Sequence, residues 1–372
     1  MSSNAARAIA CPVCGWRYLF PPTGALPRCP HCYRADLTLL ADNAAALPYV
    51  RPLELVIPFR SLVDTRIEAS LKRFFRAVPY PPQDLTVDNL RARLQKVFVP
   101  AWLVDVQVVA DWRGETGFAV TTRSHVDKYS PSGGWSTMEV ERTMLRWELR
   151  AGHLERTYHN LRVPAMRFEP RLRNVLGQWS LDHAVPCTGA LLADAFIGLP
   201  ERLPDEAWDD VAPLAHAAAA QECAEAAGGN QMRDFQWVPQ YLDRNWTLLL
   251  QPIYTTFYRD DEGQPHVLMF NGETGIMTGA RRGSFATARQ VSQSVIIYAS
   301  IIIIFGLLLL LWSLFEPQML TWAFVVIGCG VLVGLWGLTP LLMVKMSHRR
   351  GPHTGFHINN TSQPSELEED QE

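Results

Sequence analysis

Four of the seven cysteines fall in two pairs, Cys11-Pro-Val-Cys14 and Cys29-Pro-His-Cys32, with fourteen residues between them. A C-x2-C pair sets two thiolates on one tight turn, and two such turns facing each other complete a tetrahedron around Zn2+. Gly15, directly after the first pair, suits a turn in which backbone NH groups approach the sulfurs. The spacer, with Pro21-Pro22-Thr23-Gly24, has room for a short β-hairpin. The pattern predicts a zinc ribbon whose metal ligands are Cys11, Cys14, Cys29 and Cys32. Its Zn2+ is structural, because four thiolates leave no coordination position open to a substrate. A redox C-x2-C would be single and would sit at a helix start. His31 lies between two ligands and is read as a solvent-facing knuckle residue, the alternative being a further ligand.

No other constellation carries chemistry. The sequence holds no P-loop, no G-x-S-x-G, no H-E-x-x-H and no dinucleotide fingerprint. Asp182-His183 with Cys187 offers a base and a thiol, but the plainer reading is a partly buried Cys near a surface His. Cys223 and Cys329 are read as inert packing. His153, His159 and His266 are scattered without ligand spacing. No catalytic or cofactor-binding residue is assigned, and the chain is read as a protein without enzyme activity.

The elements that must carry the ribbon follow from composition and patterning. Of 372 residues 48% are hydrophobic, too apolar a chain for disorder, and seven clustered cysteines are too few for a secreted disulfide scaffold. Residues 1–10 have no apolar core of the signal-peptide kind. Near the other end, 294–315 and 319–344 are uncharged runs of 22 and 26 residues, each longer than the ~20 residues a bilayer requires. Only Glu316-Pro317-Gln318 separates them, which predicts a tight transmembrane hairpin; a buried hairpin in a soluble core is the alternative.

Arg281, Arg282 and Arg289 precede the first run and Lys345, Arg349 and Arg350 follow the second, while the turn has no Lys or Arg. The positive-inside rule then puts both termini, and residues 1–293 with them, in the cytosol. Trp312 and Trp322 suit an interfacial belt, and Gly330-x3-Gly334 reads either as ordinary membrane glycine or as a dimerisation face. The acidic tail, 347–372, is expected to be disordered. The domains so drawn are a ribbon at 1–46, an α+β cytosolic domain at 47–290, two spans at 291–346 and the tail.

Within the cytosolic domain, 41–48 reads as a linker and 53–57 as a short strand ended by Pro58. Ser61 is a candidate cap for a helix with Ile67, Leu71, Phe74, Phe75 and Val78 at helical spacing, ended by Val78-Pro-Tyr-Pro-Pro82. A second short helix is expected over 88–97. Residues 51–100 hold nine basic against five acidic groups, a solvated face or a patch resting on anionic lipid. Strands are expected over 98–109 and 117–122. Two more, 137–150 and 154–163, are joined as a hairpin at Ala151-Gly152-His153.

A helix over 205–227 starts after Pro204, is kinked or split by Pro213 and stops at Gly228-Gly229. Strands over 247–258 and 265–270 flank the turn Asp260-Asp-Glu-Gly263, and Asn271-Gly-Glu-Thr-Gly275 makes a second turn. Val99-Pro100-Ala-Trp102 and Gln251-Pro252-Ile-Tyr254 share a Pro two residues before an aromatic, which suggests a duplicated strand unit in a mixed α+β sheet.

Taken in order, Cys11-Pro-Val-Cys14 with Cys29-Pro-His-Cys32, Ile57-Pro-Phe59, Val99-Pro-Ala-Trp102-Leu-Val-Asp105, Leu250-Gln-Pro-Ile-Tyr254, Asn271-Gly-Glu-Thr-Gly275 and the apolar hairpin resemble the bacterial TFIIB-type zinc-ribbon membrane proteins. Ala101 stands where relatives usually carry an aromatic, and Tyr254 where Trp is common. The resemblance implies a bacterial inner-membrane anchor that recruits SPFH (flotillin-like) proteins or phage-shock, ESCRT-III-like coat proteins in envelope maintenance or stress. The partners it implies are the lipid bilayer and such a protein, with a homo-oligomer as a further option. Nucleic acid is not expected, because outside the tail 32 basic groups meet 32 acidic ones. A membrane-tethered nucleic-acid module and an enzyme acting on lipid or envelope precursors are the alternatives.

Overall fold

The computed structural model describes residues 7–20, 27–40, 53–60, 64–131, 133–229 and 231–349. The spacer turn, the linker at 41–48, Ser61 and the tail from 350 lie outside the described residues. In chain order the elements are β1 Arg7–Ala10, β2 Arg17–Phe20, β3 Thr38–Leu39, β4 Leu55–Val56, α1 Asp64–Ala77, α2 Val87–Ala92, β5 Gln95–Ser130, β6 Gly134–Pro164 and α3 Glu169–Leu176. Next come β7 Val185–Pro186, β8 Ala195–Gly198, α4 Pro204–Ala226, β9 Gln231–Arg259, β10 Pro265–Asn271, β11 Met277–Gly279, α5 Phe285–Trp312, α6 Met319–Trp336 and α7 Thr339–Arg349. The architecture is mixed α/β on a large sheet. The chain divides into two units, one of residues 1–99, 168–199 and 250–372, the other of 100–167 and 200–249. Each boundary in β5 and β9 falls next to a Pro-aromatic motif, at Pro100 and just before Pro252.

In the first unit the strands follow the order β11-β10-β9-β5-β8-β2-β1-β3, with β8 parallel to β5 through Lys96↔Ala195 and Phe98↔Ile197. Val56, Phe98, Ala195, Ile197 and Leu250 form one buried cluster. A second cluster packs Leu71, Phe74 and Val78 of α1 and its end, with Leu85 and Leu90, against Tyr254, Tyr258, Leu268 and Phe270. The helical spacing of α1 thus serves the protein core. Helix α2 is shorter than the expected 88–97: capped by Thr86, it stops at Ala92, and Gln95 already belongs to β5. Asp84 clamps Arg93 through two bonds of 2.6 and 2.7 Å, and burial of Val97, Phe98 and Val99 in the sheet draws the chain into a strand.

The segments 285–312 and 319–349 are two helices long and apolar enough to cross a membrane, and only 11% of each apolar window is buried inside the protein. They close on each other through glycine. A Cβ on Gly306 would lie 2.6 Å from Ile327, one on Gly330 would lie 2.6 Å from Ile303, and one on Gly334 would meet Ala299 at 3.6 Å. The Gly330-x3-Gly334 spacing therefore serves the hairpin's own packing.

The second unit corrects two expectations. No turn interrupts 134–164; Ala151, Gly152 and His153 pair in register with Arg113, Trp112 and Asp111. Gly152 is needed because the indole of Trp112 lies 3.1 Å from where its Cβ would be. The chain reverses instead after Ser130, where Gly133 N donates to Ser130 O (3.2 Å) and Gly134 takes φ 74°. The first half of β9, 231–246, had no strand expectation; of its residues only Phe235, Trp237 and Tyr241 fall at period-two positions and pack against the core. Helix α4 runs on through Pro213 without splitting, held by Val211, Ala215 and Ala219, which are buried on both sides of it. Ala215 and Ala219 meet Val106, Val108, Ala110 and Tyr158 in this unit's core.

Candidate metal centre

Two knuckles of matching form bring the cysteines together. Cys11 N donates to Trp16 O (2.8 Å) and Gly15 N to Cys11 O (2.9 Å); Cys29 N donates to Ala35 O (3.0 Å) and Tyr33 N to Cys29 O (2.9 Å). Strands β1 and β2, paired through Ile9↔Tyr18 and Ala10↔Arg17, hold the first knuckle between them, and β3 pairs with β1 on its other side. Among the described residues the hairpin at the cysteine cluster is therefore β1–β2, around Cys11 and Cys14. Gly15 and Tyr33 occupy equivalent positions, with φ of 72° and 53°. The strain at Tyr33 is offset by its side chain, which stacks on Phe257 at 4.4 Å and shares a 2.8 Å hydrogen bond with Thr255 Oγ1.

The Sγ atoms of Cys11, Cys14, Cys29 and Cys32 all lie within 4.8 Å of one another. Cys11–Cys32 and Cys14–Cys29 are each 3.6 Å apart. A tetrahedron with Zn–S bonds of about 2.3 Å has edges of about 3.8 Å, close to these two separations, so the four sulfurs could hold a metal ion of the Zn2+ kind. Hydrogen bonds from Cys14 and Cys29 hold the Cys32 thiol far below its usual range. The bond to Cys29, the bond to Cys32 and burial push Cys14 far up. Four sulfurs this close cannot all carry charge unless a cation sits among them. Burial, and then the charge of Cys29, also raise the adjacent Tyr18 hydroxyl.

His31 is not solvent-facing. It is 7% exposed, its ring stacks on Trp16 with centres 3.8 Å apart, and Phe168 packs beside both. Burial pushes its imidazole down to about 4, so it is neutral. Position between two ligands says nothing of which way a knuckle side chain points. The available signal was Trp16, two residues past Cys14, whose indole needs a flat partner.

The other candidate groups do not converge. Among the described residues no hydrogen bond joins Cys187 to His183. The Cys187 side chain packs against the Phe98 cluster, and burial raises its thiol. His183 Nδ1 instead bonds the buried carboxylate of Glu273, which also accepts from Ser180 N at 2.9 Å. Glu273 was missed because its partner lies ninety residues away. His153, His159 and His266 each face their own carboxylate, Asp111 at 2.9 Å, Asp105 at 3.6 Å and Asp260 at 2.8 Å. Cys223 is buried, and burial raises its thiol to about 11.

Compared with protein-family models, with curated proteins and with solved structures, the chain matches none.

Proposed function

We propose that the protein is a membrane-anchored scaffold that displays a zinc ribbon to the cytosol and recruits soluble proteins to the bacterial inner membrane. The observation that carries the reading is the apolar hairpin, whose side chains face away from the protein's own core: Ile297, Ile301, Phe305, Leu308 and Leu332 are all exposed. In water such a surface would far exceed the apolar patch a soluble protein tolerates; in a bilayer it is solvated. Arg281, Arg282 and Arg289 at one end and Lys345 and Arg349 at the other carry the positive charge, which favours cytosolic flanks on both sides.

The root of the anchor is built into the first unit. Ser284 N donates to Tyr80 O (2.7 Å), just past α1, and His348 Nε2 bonds Gly283 O (2.9 Å). Helix α1 therefore stands next to the membrane surface in this reading, with Lys72, Arg73 and Arg76 exposed for anionic headgroups. The four thiolates act by fixing the ribbon's shape, and a surface of that shape selects the partner. The resemblance points to flotillin-like or phage-shock coat proteins as that partner.

The test is an affinity pull-down of the full-length protein from mildly solubilised membranes, beside the Cys29→Ser, Cys32→Ser variant. Recovery of a flotillin-like or coat protein, lost in the variant, supports the reading. Recovery of nucleic acid alone, or of nothing, overturns it, as does finding the wild-type chain in the soluble fraction.

A further inference from the structure

Strands β5 and β6 run on past the rest of their unit as a two-stranded arm. Even-numbered residues of both strands share the face that α4 covers, where Val106, Val108, Ala110 and Tyr158 pack against Ala215 and Ala219. The cover stops where α4 stops. Gly228 lies beside Phe118, and a Cβ on Gly229 would fall 2.1 Å from the Thr116 methyl. Strand β9 also begins at this level, with Arg233 pairing to Glu115. From Ala119↔Leu145 to Tyr129↔Trp135 the ladder is β5 and β6 alone. The same face there comes into the open, with Val126, Met138 and Met144 42%, 59% and 57% exposed.

The open stretch is chemically one-sided. Its apolar side chains are Val120, Val126, Met138, Val140 and Met144, and the charged groups among them are Lys128 and Arg142, both exposed. Among the described residues neither cation is in an ion pair. Every acid of the stretch, Asp127, Glu139 and Glu141, stands on the opposite face. There Arg123 lies 2.9 Å from Glu141 and 3.8 Å from Glu139, and Thr137 Oγ1 donates to Asp127 at 2.7 Å. One face thus has two free cations and no acid; the other has one cation, already paired, and three acids. Neither water nor a purely apolar partner satisfies methyl and thioether groups set between free cations. A surface offering acyl chains and negative charge together does, because Lys and Arg bury their stems and keep their heads at the phosphates.

We propose that this face of the arm rests on the anionic surface of the bilayer, a second membrane contact besides the apolar hairpin. Lys128 and Arg142 meet lipid phosphates, and the valines and methionines lie at the acyl boundary. Turning the arm over would press Asp127, Glu139 and Glu141 onto like charge, so electrostatics fixes which face is down. The inference rests on the membrane-anchored reading, because the anchor is what holds the arm at high effective concentration beside lipid.

The test uses the full chain in nanodiscs of phosphatidylethanolamine and phosphatidylglycerol, with a benzoylphenylalanine photo-crosslinker at Met138 or Met144 and, as controls, at Glu141 or Thr143 on the opposite face. Mass spectrometry of the intact chain is expected to show phospholipid adducts at the first two positions and several-fold less at the controls. Lys128→Glu with Arg142→Glu should cut the adducts several-fold while the chain stays in the nanodisc. Nanodiscs of phosphatidylcholine alone should do the same without any charge substitution. Adducts at neither methionine, equal adducts on both faces, adducts unchanged by both the charge reversal and the neutral lipid, or crosslinks only to another copy or another protein would each overturn the inference. A chain that never enters the nanodisc defeats the anchored reading and this inference with it; a chain that enters and gives no adduct defeats the inference alone.

Discussion

The imidazole of His31 lies flat on the indole of Trp16, ring centres 3.8 Å apart and planes 9° apart, so that a residue of the second knuckle is clamped to one flanking the first. Both rings are buried, with Phe168 packed beside them. Trp16→Ala should therefore cost about 3 kcal/mol of ribbon stability, the scale of a large-to-small change at a buried aromatic. His31→Phe should keep both the stack and one zinc per chain. Zinc analysis beside chemical denaturation decides this; zinc loss in His31→Phe would make the imidazole a ligand.

Removing any of the four sulfurs leaves three, one short of the four ligands a structural zinc site takes. Cys14→Ser is expected to abolish stoichiometric zinc and to open the ribbon to proteolysis between residues 7 and 40, while the protein stays in the membrane fraction. Chelation of the wild type should give the same cleavage pattern. An intact ribbon after metal removal would show that hydrogen bonding alone holds the knuckles.

Packing of the hairpin depends on two glycines. Gly306→Leu or Gly330→Leu places side-chain atoms where Ile327 and Ile303 already sit. Each should cost about 1–3 kcal/mol through overpacking and shift thermal unfolding in detergent downwards. Gly334→Ala, with open contact at 3.6 Å, should be nearly neutral. Equal effects at all three positions would count against this interhelical packing.

Asp84 ties α2 to β9 by accepting from Arg93 and from Arg259 N at 2.8 Å, and the Arg93 guanidinium holds its carboxyl below the usual range. A depressed folded pKa means that the unfolded chain binds the proton first, so stability is lost as pH falls through the folded value. Asp84→Asn should cost about 1 kcal/mol at neutral pH, and the gap from wild type should shrink below about pH 4. Denaturant titrations at pH 7 and pH 3.5 give the comparison.

What could be read from the chain was whatever short-range pattern encodes. Two C-x2-C pairs state a tetrahedral site because each pair fixes its own turn, and the ligands need only face each other. The apolar runs at 294–315 and 319–344 state two long helices because length and the absence of charge are local properties. The spacing of Leu71, Phe74 and Val78 stated a helix, but only the tertiary structure decided that Phe74 fills the core under Tyr258. Ala151-Gly152-His153 resembled a turn because glycine is ambiguous in isolation; the indole of Trp112, forty residues away, makes it the middle of a strand. The long arm was likewise hidden, since a polar two-stranded ribbon is held by its partner's register rather than by its own hydrophobicity. The same holds for His31, whose direction was set by the ring it lies on and not by the cysteines on either side.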